Sequence, residues 1–106
     1  MLRCVSLTFE VLAEPHRRRI LDLLRESEQP VGSLVTALPL SQPAVSKHLR
    51  VLREAGLVES RVDAQRRVYR VRPEPLQELD SWLEPYRRMW AARLDDLDRH
   101  LAANPD

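Results

Sequence analysis

Glycine occurs twice in this 106-residue chain and cysteine once, and both scarcities exclude chemistry. With only Gly32 and Gly56 available, no glycine-rich loop can cradle a nucleotide phosphate on its backbone. The single Cys4 rules out an intramolecular disulfide framework and suits a reducing, intracellular setting, so a cytoplasmic location is expected. No apolar run approaches the ~20 residues that span a bilayer. The opening MLRCVSLTFEVLA is interrupted by Ser6, Thr8 and Glu10, and no small-residue cleavage site follows, so a secretory signal is not expected. Neither internal repeats nor low-complexity segments occur. No grouping of nucleophile, base and orienter emerges, and catalysis is not expected. The length fits one small domain with a modest core.

What the chain does have is a stretch from Leu34 to Val58, LVTALPLSQPAVSKHLRVLREAGLV. A short helical pattern through Leu34, Val35 and Leu38 stops at Pro39. Ser41 is a good N-cap for a second helix, whose apolar positions Val45, Leu49 and Leu52 follow the 3.6-residue period. Gly56 sits just past its end, where a left-handed cap costs glycine least. Two helices joined by a tight turn form a helix-turn-helix, and its second helix can lie in the major groove of DNA. With the apolar stripe inward, Pro43, Ser46, Lys47, Arg50 and Glu54 point outward, and Gln42 and His48 lie on the flanks. Gln and Arg pair bidentately with adenine and guanine edges, while Ser and Lys reach bases or phosphate. The spacing therefore predicts a DNA-contacting set of Ser41, Gln42, Pro43, Ser46, Lys47, His48 and Arg50. Within it, Gln42, Ser46 and Lys47 are expected on bases and Arg50 on phosphate.

The overall charge of +1 hides an asymmetry. Residues 41–72 hold eight Lys or Arg against three acids, while residues 73–106 hold four Arg against eight acids. A basic segment followed by an acidic one favours double-stranded DNA as the partner, because phosphate binding releases condensed counterions, and it places the acidic tail on the far side. A winged-helix module that binds protein would not need that segment.

Elsewhere the patterns are mixed. Residues 2–12 alternate as a strand would at Val5, Leu7, Phe9 and Val11, yet also show helical spacing at Leu2, Val5, Phe9 and Leu12. Pro15 suits a first helical position, and Ile20, Leu21, Leu23 and Leu24 give the helix after it a core face. Arg17, Arg18 and Arg19 read as a solvated edge, and residues 27–30 as a loop. Segments LVESRVD and RRVYRV are β-prone and joined near Asp63, Ala64 and Gln65, a hairpin that forms a wing after the recognition helix. Arg66 and Arg67 near its tip are expected to reach the neighbouring minor groove or its phosphates. Arg70 and Arg72 read as surface arginines. From Leu76 a stripe steps by three or four through Leu79, Leu83, Tyr86, Trp90, Leu94, Leu97 and Leu101, widened by Trp82 and Met89. A domain this small has limited core for such a face, so a partner helix is expected to cover it. Pro85 falls inside this pattern, which leaves one bent helix or two.

The string SQPAVSKHLRVLREAGLV, preceded by AEPHRRRILDLL and followed by RRVYRV, resembles the ArsR/SmtB family of winged-helix transcriptional repressors over about residues 7–72. The C-terminal SWLEPYRRMWAARLDDL looks like a subgroup without the usual metal ligands. The resemblance implies a mainly α fold with a small β-hairpin. That fold is a single winged domain, with the helix-turn-helix at about 31–55, the wing at about 57–72 and a dimerisation helix at about 74–103. It also decides for a helix over residues 2–12. It further implies a homodimeric repressor acting at an inverted-repeat operator. Its two-fold interface would come from the first and last helices, here Leu2, Val5, Phe9, Leu83, Tyr86, Trp90, Leu94 and Leu97. The family commonly has glycine in the wing turn, where this chain has Ala64-Gln65. No cofactor and no metal are expected. The segment VGSLVTAL lacks the cysteine pair of thiolate sensors, His100 has no second histidine beside it, and Cys4, His16 and His48 are scattered in sequence. A thiol switch at Cys4, or a ligand-responsive repressor, is the alternative form of regulation.

Overall fold

The computed structural model describes the backbone of residues 2–103 and the side chains of residues 5–103. The Leu2 and Cys4 side chains therefore lie outside the described residues.

Helix α1 spans Leu2–Leu12 and α2 spans Pro15–Glu26. The corner between them is built by side chains. Glu14 caps α2 by accepting the Arg17 backbone N–H, and Pro15 fills the first turn, where its missing donor costs nothing. Arg17 and Arg18 reach back to the Val11 and Leu12 carbonyls, which the end of α1 leaves without helical partners. Ile20, Leu21 and Leu24 then face the core.

After α2 the chain runs extended through β1, Gln29–Pro30, before α3, Val31–Ala37. Helix α4 covers Gln42–Glu54, and the Ser41 hydroxyl accepts the Ala44 N–H at 3.3 Å as its N-cap. At the other end Gly56 takes φ +76°, and the Gly56 and Leu57 N–H groups bond to the Arg53 and Leu52 carbonyls. This double bond around a left-handed residue is a Schellman motif, and it turns the chain straight into the wing.

The wing is β2, Val58–Asp63, paired antiparallel with β3, Arg66–Val71, in a register running from Val58↔Val71 to Asp63↔Arg66. Only Ala64 and Gln65 form the turn, and Ala64 accepts φ +59° where glycine would be at ease. The sheet has a third strand. Gln29 and Pro30, expected as loop, pair with Tyr69 and Val68, giving the order β1-β3-β2. Two residues are too short for any period to announce a strand, and the pairing depends on where β3 arrives.

One core joins these pieces: Val11, Ile20, Leu21, Leu24, Leu34, Leu38, Val45, Leu49, Leu52, Leu57 and Val58. The inward stripe of α4 is its centre, with Val45, Leu49 and Leu52 at most 1% exposed.

Helix α5 runs unbroken over Glu74–Ala103 with Pro85 inside it. The Arg87 guanidinium spans this region, bonding the Asp80 carbonyl and both the Asp80 and Glu84 carboxylates. No residue of α5 is buried. Its first half leans on α1 through an edge-to-face contact of Phe9 with Trp82, 5.4 Å between centroids, and Trp82 packs on Tyr86 in turn. From Arg88 to Ala103 every residue is exposed. The 30-residue helix, about 45 Å long, accounts for the molecule's 64 Å extent. Val5 departs from its expected place at an interface. It is 6% exposed, turned into its own chain, and has almost no area left for a partner.

Candidate nucleic-acid interface

Because Val45, Leu49 and Leu52 are locked into the core, the opposite face of α4 has no freedom about where it points. Gln42, Pro43, Ser46, Lys47 and Arg50 are all exposed there. Ser41 is exposed too, but its hydroxyl is engaged in capping. The wing folds back beside this face. Pro43, Ser46, Lys47, Arg50, Arg53, Arg67 and Tyr69 line one open depression of about 430 Å³ between α4 and β3. Arg66 stands exposed at the tip and does not line it. The structure adds Arg53 and Tyr69 to the expected set. Arg53 continues the steps 43, 46, 50 by three more residues, a signal the sequence carried. Tyr69 comes from β3, the strand on the other side of the depression.

Ion pairing divides the eight basic residues of this segment into two groups. Arg61 pairs with Glu28, Arg70 with Glu59, and Arg72 with Glu59 and Glu74 at 3.7 Å each. The Arg61 guanidinium, hydrogen-bonded to Glu28, holds that carboxyl below its ordinary value. Lys47, Arg50, Arg53, Arg66 and Arg67 have no acidic partner among the described residues. The paired arginines sit on the strands or just past β3 and none lines the depression, while the unpaired cations sit on α4 and at the wing tip. Unneutralised cations around a concave groove are what a polyanion needs, since paired ones would have to give up a partner first.

His48, expected in the DNA-contacting set, sits apart from the exposed face of α4. It is half-buried and turned towards α2, with Nδ1 accepting from Arg17 Nε at 3.3 Å and Nε2 lying 3.7 Å from a Glu14 carboxylate oxygen. Burial, outweighing the nearby Glu14 carboxylate, holds its imidazole below the ordinary value. Arg17 is likewise held at the α1–α2 corner. His16 and His48, far apart in sequence, are brought together here, so their scatter along the chain does not survive folding.

A recognition helix with a cationic outer face, docked beside a basic wing, defines a winged helix-turn-helix DNA-binding protein. Comparison with known proteins agrees. The model of the bacterial regulatory protein arsR family matches residues 14–60. The chain is 41% identical over 86 residues to the HTH-type transcriptional regulator Rv2034 of Mycobacterium tuberculosis, covering 81% of this chain and 78% of that protein. It is 29% identical over 75 residues to the transcriptional repressor SdpR of Bacillus subtilis, covering 71% and 83%. The solved ArsR-like transcriptional regulator from Rhodococcus sp. RHA1 superposes with a TM-score of 0.74 at 32% identity, covering 92% of each chain. This chain belongs to the ArsR family of bacterial transcriptional regulators, and it is a sequence-specific DNA-binding regulator of transcription. No helix among the described residues is long and apolar enough to cross a membrane.

Proposed function

We propose that the protein is a homodimeric repressor that binds an inverted-repeat operator and needs no metal to do so. Gln42, Ser46 and Lys47 read base edges in the major groove, while Arg50, Arg53 and Arg67 hold phosphates and Arg66 reaches along the wing. The observation that carries this reading is the segregation of unpaired cations onto α4 and the wing tip, with the other arginines of the segment neutralised. Base contacts specify and phosphate contacts position, so the two roles separate experimentally.

Dimerisation follows from the face that α5 leaves uncovered. Trp82, Tyr86, Met89, Trp90, Leu94, Leu97 and Leu101 are each between 41% and 61% exposed. A continuous apolar face of that size on a soluble domain calls for a partner. Two copies joined there set two recognition helices about one helical turn, ~34 Å, apart on the DNA. The thiolate pair that metal-sensing relatives carry before the recognition helix has no counterpart in Val31–Ala37, a segment without cysteine. No step of operator binding is routed through such a metal.

The test is DNA binding by Gln42→Ala and Arg50→Ala across a salt series. Gln42→Ala is expected to relax sequence preference. Arg50→Ala is expected to weaken binding to all sequences and to flatten the salt dependence by about one phosphate contact. Equal losses on operator and random DNA for Gln42→Ala would remove its base-reading role.

A further inference from the structure

Glu14 caps α2, His16 lies in its first turn and His48 lies on α4, far away in sequence, yet folding brings a ligand atom of each within 4.8 Å of the other two. The Arg17 backbone N–H bonded to Glu14 Oε2 fixes the direction of the carboxylate. His16 Nδ1 is 3.2 Å from Glu14 Oε1, and His48 Nε2 is 3.7 Å from Oε2. The two imidazoles face each other, with centroids 6.0 Å apart and planes 30° from parallel. All three residues are half-buried, which strips part of their water and leaves a way in from solvent. Two imidazoles and one carboxylate are the donor set of three-ligand zinc sites. Zinc bonds of about 2.0–2.1 Å in a tetrahedron put ligand atoms roughly 3.4 Å apart, a distance that side-chain adjustment alone can reach from here.

We propose that Glu14, His16 and His48 form a binding site for a borderline divalent cation such as Zn²⁺, with three protein ligands and an open fourth position, clasping α2 to the recognition helix. A metal-ligating imidazole must be neutral. One group opposes the cation. A His48 ring that accepts from Arg17 at Nδ1 carries its own proton on Nε2, the atom facing Glu14. Metal at Nε2 requires the proton to move to Nδ1 and the Arg17 Nε–H to swing away, while Nη1 keeps its bond to the Val11 carbonyl. Arg17 therefore sets the affinity. The site faces α2 and not the DNA groove, so the cation acts on the fold, and the metal-free chain keeps its operator-binding face.

Titration of the purified full-length chain with Zn²⁺ and Co²⁺ tests this. One equivalent per chain is expected, with tetrahedral cobalt absorption lacking a thiolate charge-transfer band, and with a thermal midpoint that rises as zinc is added. His16→Gln removes a half-buried ring that is not part of the apolar core, and Glu14→Gln keeps a side-chain oxygen for the cap, so both variants should fold. Each should weaken zinc binding tenfold or more with an unchanged far-ultraviolet circular dichroism spectrum. Arg17→Gln should tighten it. No saturable binding at micromolar zinc, a thiolate band placing the metal on Cys4, undiminished affinity in His16→Gln, or weaker binding in Arg17→Gln would each overturn the proposal. Operator binding in the presence of chelator is the separate control that bears on the regulator itself.

Discussion

Replacing Trp90 by alanine should abolish dimerisation while leaving the winged domain folded. Trp90 is 53% exposed in the single chain and lies eight residues beyond Trp82, whose ring contact with Phe9 ties α5 to α1. A tryptophan presents up to about 250 Å², so roughly 100 Å² of ring would leave water when a partner helix covers it. At about 25 cal/mol per Å² this is about 2.5 kcal/mol per copy, and the two-fold relation counts it twice. The dimer dissociation constant should therefore rise by between three and four orders of magnitude, about 1.4 kcal/mol making each tenfold step. The fold should not notice, because residues from Arg88 onward are exposed and give nothing to the core. Sedimentation velocity over a concentration series reads the first quantity, and thermal unfolding monitored by circular dichroism reads the second. Specific binding to a two-site operator should fall with the dimer, and weak salt-sensitive binding to random DNA should persist. A Trp90→Ala protein that still sediments as a dimer at the wild-type concentration would sink the assignment of α5 as the interface. So would a wild-type monomer that binds one half-site tightly.

Other expectations are simpler. Arg53→Ala should weaken binding to every DNA sequence alike and reduce the slope of log affinity against log salt by about 0.9, and an unchanged slope would remove Arg53 from the phosphate-binding groove. Leu49→Ala, at a site 1% exposed in the centre of the core, should cost about 2–5 kcal/mol in denaturant unfolding. A loss below about 1 kcal/mol would mean that the α4 stripe does not anchor the helix as described. Ala64→Gly should stabilise the protein slightly: relief of a left-handed alanine gains about 1–2 kcal/mol, and glycine's extra unfolded-state freedom offsets about 0.4–1 of it. A lower melting temperature for this variant would contradict the left-handed turn.

What the sequence made legible was local. The stripe Val45, Leu49, Leu52, the capping Ser41 and the left-handed Gly56 all act within one helix and its ends, and their structural roles follow from spacing and backbone chemistry alone. The wing hairpin was legible for the same reason, since two β-prone segments separated by two residues have little choice but to pair. The third strand was not, because Gln29 and Pro30 become a strand only when Tyr69 and Val68 arrive beside them. Helix α1 was ambiguous on its own period, and resemblance had to decide it. Pro85 left open whether the segment is one bent helix or two, and the structure has one helix. Its lost hydrogen bond interrupts one link in a helix of thirty residues, with the Arg87 guanidinium bridging the turn around it, and the helix continues.

The candidate interface shows the same division in its electrostatics. Counting charges placed eight cations and three acids between residues 41 and 72, which pointed to DNA but treated the cations as equivalent. Folding makes them unequal. Glu59 sits opposite Arg70 in the strand register and within reach of Arg72, and Glu28, from outside the segment, meets Arg61. Those three arginines are largely neutralised where they stand. The remaining five are concentrated on α4 and the wing tip, so the effective field is narrower and more directional than the count suggested. His48 illustrates the limit most sharply. A helical wheel puts it on the flank of the recognition helix, and only the packing of α2 decides that the flank faces inward, onto Glu14 and Arg17. Its chemistry is set by residues more than thirty positions away, which is why a site formed by Glu14, His16 and His48 could not be read from spacing along the chain and becomes visible only once α2 and α4 are packed.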